Sequence, residues 1–389
     1  MMHILYLIKR LSRDDKAPWL FDDLIDSIGE EKIKQTVLLL DLEGQFKFGH
    51  SIHKKLDVYA FPIKSKNRVL KLLMVLLANF YFCYILFSLK KLENNFSVIS
   101  SSIASLFFIT HLYIKYFVKP ITSIMILWDF FPIHHIEISY IPKFLGGVLK
   151  KIEKISISCY EKVGLMSEKN LEFFNSYLGS KQKTFILPIW GRDRRIDCGY
   201  SAGTKGPLKC IFGGQITYGR GIEELIQLAI EIDKINLNVE IHVFGGGMLQ
   251  PLLVDSILLN NIQCLKYRGV LSREDYLKEV SASDIGLIMT VPNVTVPTYP
   301  SKVIDYLLTS KPILALVESS TDFGEIIEFN AECGFYADVS NTELIIEKLN
   351  KFSEMKSKQE LGVFMENSYK FFKKVHDVEV VKLKILNQL

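Results

Sequence analysis

Residues Tyr299 to Leu316, YPSKVIDYLLTSKPILAL, read as a loop, a short helix and a buried strand. Pro300 fits the first turn of a helix because its missing N–H would go unpaired there, and Ser301 is a capping residue type. Val303, Ile304, Leu307 and Leu308 recur at helical spacing, which predicts one apolar face. Lys311-Pro312 ends that helix, and Ile313 to Val317 is a continuous apolar run, the pattern of a parallel strand covered on both faces. A helix N-terminus offers unpaired N–H groups to a phosphate, so Ser301 and Lys302 are candidate phosphate ligands. Asp305, one turn on, is placed to accept hydrogen bonds from a pair of sugar hydroxyls.

Leu208–Phe212, Val239–Phe244 and Ile285–Met289 are further apolar runs separated by helical stretches. Near the N-terminus, His3–Ile8, Trp19–Ile28 and Gln35–Asp41 give a strand–helix–strand opening. Both halves thus predict doubly wound parallel sheets. Phe96–Ser100 and Ile121–Leu127 continue the first sheet around a helical Leu106–Val118. The polar, glycine-rich stretch 189–207 reads as a linker, dividing the chain into domains 1–188 and 208–362 with a final helical segment 363–389.

The stretch 299–316 is similar to the signature of the family 4 retaining glycosyltransferases of GT-B architecture, Pro-x-Lys-x-x-Glu-Tyr followed by Gly-Lys-Pro. The resemblance extends through Gly213–Gly221, Phe244–Gly247, Tyr267–Val270 and Ala282–Leu287, in the family's order and spacing. It implies two Rossmann-like domains facing across a cleft, with the segment 363–389 returning to the first. It also implies that Gly213, Gly214 and Arg220 bind the donor phosphates with Lys302, that Arg268 and Val270 lie beside the base, and that Asp305 holds the ribose. Gln215 stands where the family has its first cation, and Pro297 where it has its first acid. Asn293, Thr295 and Thr298 are then candidates to hold the sugar. Uracil and guanine both remain open as the base, a UDP-sugar being favoured. No Asp-x-Asp is present, so neither a metal nor another cofactor is expected.

In the first half, Asp129, His134 and His135 follow the strand 121–127, where parallel sheets bind ligands, and are candidates for the acceptor side. The loop after the first strand, Lys9–Arg13, lacks the family's glycines, leaving Arg10 or Arg13 to supply charge.

The chain's 389 residues suffice for two domains. Residues 1–190 hold 25 Lys and Arg against 17 Asp and Glu, a net +8, and the remainder 22 against 26, a net −4. A basic first half in a chain of mean hydropathy +0.19 suggests an anionic lipid surface as its partner. The apolar run 72–89, bracketed by Lys71 and Lys90-Lys91, reads as a buried or membrane-dipping helix in preference to a span, because a span would split one sheet across a bilayer. Lys143–Lys154 is basic and amphipathic, a solvated helix face or a lipid contact. Six scattered cysteines fit a reducing cytosol. Basic residues interleaved with apolar ones argue against nucleic acid. The expectation is therefore a cytoplasmic enzyme peripheral on the inner face of the cell membrane. It would move a sugar from a nucleotide sugar to a lipid-linked saccharide, as in O-antigen or capsule synthesis. The alternative is a non-catalytic GT-B subunit that positions a partner glycosyltransferase.

Overall fold

The computed structural model describes residues 2–13, 19–65, 67–92, 95–101, 104–179, 182–194 and 205–389; most of the expected linker lies outside them. Two compact units emerge: the N-terminal part to Arg192 together with Val378–Leu389, and Asp193–Asp377.

The first unit is built on β1 (His3–Ile8), β2 (Lys34–Asp41), β3 (Gly49–His53), β4 (Leu56–Pro62), β5 (Ser97–Ser101), β6 (Ser123–Leu127), β7 (Lys162–Leu165) and β8 (Lys183–Ile186). Their order is β3-β4-β2-β1-β5-β6-β7-β8. Every neighbouring pair is parallel except β3 with β4, a hairpin at the edge. The central strands β1, β5 and β6 are buried along their whole length, with Ser97, Ser100 and Ser101 of β5 among the buried polar residues. The helix Val378–Leu386 packs on Leu20–Gly29: Ser27 donates to Glu379 at 2.7 Å and Lys382 to Glu31 at 3.0 Å. The preceding helix Gly362–Phe371 belongs to the second unit, where the Ser368 hydroxyl donates to Lys311 O at 2.8 Å.

The apolar run 72–89 lies within a 25-residue helix, Arg68–Leu92. One face of it is buried through Ala78, Phe82, Ile85 and Leu86. Asn79 fixes that face. Its amide donates to Val75 O at 2.8 Å and Leu106 O at 2.9 Å, and its carbonyl accepts from the Thr110 N–H at 3.1 Å and hydroxyl at 2.9 Å. Asn79→Ala strands those partners away from water and is expected to cost about 3 kcal/mol in denaturant unfolding.

The second unit holds β9 (Leu208–Gly213), β10 (Val239–Phe244), β11 (Leu265–Gly269), β12 (Ile285–Met289), β13 (Ile313–Val317) and β14 (Gly334–Asp338). The order β11-β10-β9-β12-β13-β14 is parallel throughout. The chain winds outward from β9 and returns to β12 on its other side. The carboxyl ends of β9 and β12 therefore part, opening a crevice at the sheet's switch point.

Candidate functional site

The stretch 299–316 folds over that switch point. Its helix spans Val303–Leu308, entered by turns in which the N–H groups of Val303 and Ile304 donate to Pro300 O and Ser301 O. No side chain caps it, and Ser301 is exposed. Tyr306, fully buried, shares its hydroxyl between Ile211 O on β9 at 3.0 Å and Leu287 O on β12 at 3.2 Å. Gly286 makes room for it, since a Cβ there would lie 2.4 Å from the ring. Lys311 is also fully buried and donates to Ser281 O at 2.6 Å and Ser283 O at 2.9 Å. Its role is to tie the end of the helix Arg273–Ala282 to the strand that follows.

These ties hold Lys302 beside the end of β9. Its amine is buried, sits 3.4 Å from the centroid of the Phe212 ring, and has no hydrogen-bond partner among the described residues. Burial drives its pKa well below the ordinary lysine value, and the nearby Arg220 guanidinium lowers it further. Two cations, one from the loop after β9 and one from the loop after β12, thus converge where an anion would satisfy both.

Gly213 and Gly214 line the same place. A Cβ on Gly213 would fall 2.1 Å from the Tyr276 hydroxyl oxygen, and one on Gly214 3.0 Å from Lys302 Cε. Backbone bonds join the loops after β9 and β10: the Gly214 N–H donates to Phe244 O and the Ile216 N–H to Gly246 O, both at 3.0 Å. Gly245 and Gly247 permit this approach, at φ +132° and +156°. The β11 end joins through the Tyr267 hydroxyl on Gly245 O at 2.9 Å. Val270 projects beside Gly246, and Arg268 is exposed on β11. Gln215 is exposed as well.

Asp305 is paired with Arg273, which grips both carboxylate oxygens in a bidentate fork, 2.8 Å at Oδ2. The Asp305 side chain remains 13% exposed. Each carboxylate oxygen has a further lone pair, so the fork orients Asp305 and leaves acceptors for a hydroxyl pair. Nothing in the sequence pointed to Arg273, which meets Asp305 only through the packing of two helices.

Glu318, directly after β13, was likewise not anticipated. It is buried, accepts from the Thr298 N–H at 2.9 Å and hydroxyl at 2.7 Å, and also takes the Thr290 hydroxyl. Burial raises its pKa against those hydrogen bonds. The Thr298 hydroxyl thereby anchors the loop before Pro300. An acid at the carboxyl end of an entirely apolar parallel strand was the available signal.

In the first unit, Asp129 is exposed just past β6, and His134 and His135 lie on the short helix Ile133–Glu137 after a cis Phe131–Pro132 bond. Lys9, the residue after β1, joins them: burial lowers its pKa while Asp129 opposes that shift. Burial also lowers the pKa of His135, opposed by Asp129 and reinforced by Lys9. His135 Nδ1 and Trp128 Nε1 are buried without hydrogen-bond partners among the described residues. Unsatisfied polar atoms clustered at strand ends mark a place for a polar ligand. Arg10 is engaged by Glu43 at 3.2 Å and Arg13 donates to Gln45 O, so Lys9 is the cation drawn into this cluster. Among the described residues no group of His, Cys, Asp and Glu is arranged to hold a metal ion.

The chain has the fold of GT-B glycosyltransferases. Sucrose-phosphate synthase from Thermosynechococcus elongatus aligns over 100% of this chain and 98% of its own, at TM-score 0.74 and 8% identity. The E. coli trehalose-6-phosphate synthase bound with UDP-2-fluoro glucose aligns over 99% and 98%, at 0.74 and 10%. TarM from S. aureus, in complex with Fondaparinux, alpha-GlcNAc-glycerol and UDP, aligns over 100% and 99%, at 0.67 and 11%. No family model and no curated protein matches the sequence.

Proposed function

We propose that the chain is a retaining, metal-independent glycosyltransferase acting on a nucleotide sugar, with a UDP-sugar favoured as donor. The observation that carries this is the buried Lys302 amine, without a hydrogen-bond partner among the described residues, beside Arg220 at the switch point of a GT-B sheet. Fixed positive groups there stabilise charge developing on a departing diphosphate, the task a metal performs elsewhere. In a front-face retaining reaction the leaving phosphate takes the acceptor's proton, so no strong base is required. Asp129, His134 and His135, with Lys9, then bind and orient the acceptor. UDP in two of the structural neighbours supports the choice of base.

The acceptor is a lipid-linked saccharide, as in O-antigen or capsule assembly, and the protein works peripherally at the cytoplasmic membrane face. The basic, apolar first half supports this part of the reading. The second reading, a non-catalytic partner subunit, is favoured by Pro297 and Gln215, which replace charged residues at two family positions.

Calorimetry separates the two. UDP is expected to bind the wild-type protein more tightly than GDP, with Arg220→Ala and Asp305→Ala each weakening it at least about tenfold through loss of charge-assisted hydrogen bonds. Absence of binding by either nucleotide or its sugars would move the assignment to the partner subunit.

A further inference from the structure

The helix Arg68–Leu92 buries one face on the first unit, yet only 28% of its apolar window is covered. The other face carries Val69, Leu72, Leu76, Phe80, Tyr84 and Phe87, all open to solvent and spaced three or four apart. Leu72 is 64% exposed and Phe80 61%. A core helix of a soluble domain would hide these side chains, so the stripe needs a cover. Residues 68–92 contain no acid, and cations stand at both ends: Arg68 and Lys71 at one, Lys90 and Lys91 at the other. A second apolar patch lies close by. The helix Gly146–Ile157 and the turn Lys143–Leu145 expose Phe144 (80%) and Val148 among lysines. Both helices pack against the segment 104–113.

We propose that Arg68–Leu92 is an interfacial membrane helix. It lies in the plane of an anionic bilayer with its exposed stripe among the acyl chains and its basic ends at the headgroups. A span is disfavoured because the hydrogen bonds of Asn79 and the packing of Phe82 and Leu86 would have to leave the fold. A second copy is disfavoured by charge: an antiparallel two-fold pairing of this helix would set Arg68 and Lys71 against Lys90 and Lys91. Headgroup phosphates complement both ends at once. The inference deepens the membrane part of the proposed function and rests on that reading only for location.

The test is co-sedimentation of the full chain with vesicles of phosphatidylcholine, with and without phosphatidylglycerol, alongside sizing without lipid. The wild-type protein is expected to pellet with the anionic vesicles and at least about tenfold less with the neutral ones, a preference that high salt removes. Phe80→Glu is expected to lower binding at least about tenfold with little change in melting temperature, because its side chain is largely exposed, and Leu76→Glu to lower binding likewise. Arg68→Gln with Lys71→Gln should lose the anionic preference alone. Wild-type protein left in the supernatant overturns the proposal, as does a dimer that the glutamate variants dissociate. Vesicle binding is read without any sugar donor. Its failure with nucleotide binding intact removes only the membrane helix, and the reverse result removes only the transferase.

Discussion

Lys302→Ala is expected to lower kcat/KM for the nucleotide sugar by about a thousandfold while leaving the protein as stable as before, or more so. The two halves of that outcome have one cause. The Lys302 amine is buried without a hydrogen bond among the described residues and close to Arg220, an arrangement that opposes folding and favours any anion that enters. A lysine kept only for structure would lose stability along with activity. The pH dependence gives a second readout, and its sign follows from the depressed pKa. Between that folded value and the ordinary 10.5 of the unfolded chain, the unfolded state binds the extra proton, so stability of the empty protein rises with pH. A bound diphosphate favours the ammonium form, so binding takes up a proton in the same window and nucleotide affinity falls as pH rises. Melting curves and calorimetry in buffers of different ionisation enthalpy follow the two slopes, and the alanine variant should lose the Lys302 share of each, Lys9 and Lys384 keeping theirs in the stability slope.

How much of this was readable beforehand depended on whether the signal was local. β12 and β13 announce themselves because a strand covered on both faces is apolar throughout, and β1, β2, β9 and β10 because apolar residues dominate their buried positions. The edge strands did not. β11 mixes Lys266 and Arg268 with its apolar residues, and the β3–β4 hairpin turns through Lys54-Lys55, both at positive φ, where the usual signal is Asn-Gly. The helix after Lys143 also ran on to Ile157, through residues whose alternation gave no helical stop. At the site, the family resemblance singled out Gly213, Gly214, Arg220 and Lys302, which the structure brings together at the switch point. The partners of site residues were not legible. Arg273 on Asp305 and Glu318 on Thr298 are contacts between residues apart in the chain, as is the electrostatic influence of Asp129 on Lys9, and no spacing rule reaches them.

The glycines of the second unit make the most severe structural prediction. A Cβ on Gly245 would stand 1.8 Å from Gly214 O, in a backbone conformation of φ +132° that side chains rarely adopt. Neither neighbour can yield, because both are main chain held by bonds from β9 to β10 and from Gly245 N to Gly269 O. Gly245→Ala is therefore expected to cost about 4 kcal/mol and to lower the melting temperature of this unit by about 10 °C. Below that transition it should still bind no nucleotide, since the loop after β9 that carries Gly214 and Arg220 must shift. Gly269 provides the control. It too has a positive φ, +84°, but nothing lies within 4 Å of the Cβ it would gain. Gly269→Ala should cost only about 1 kcal/mol of backbone strain and keep nucleotide affinity. Equal losses in the two variants would mean that backbone conformation alone governs these loops. A large loss confined to Gly245 would mean that the crevice at the switch point depends on two main chains touching where no side chain fits.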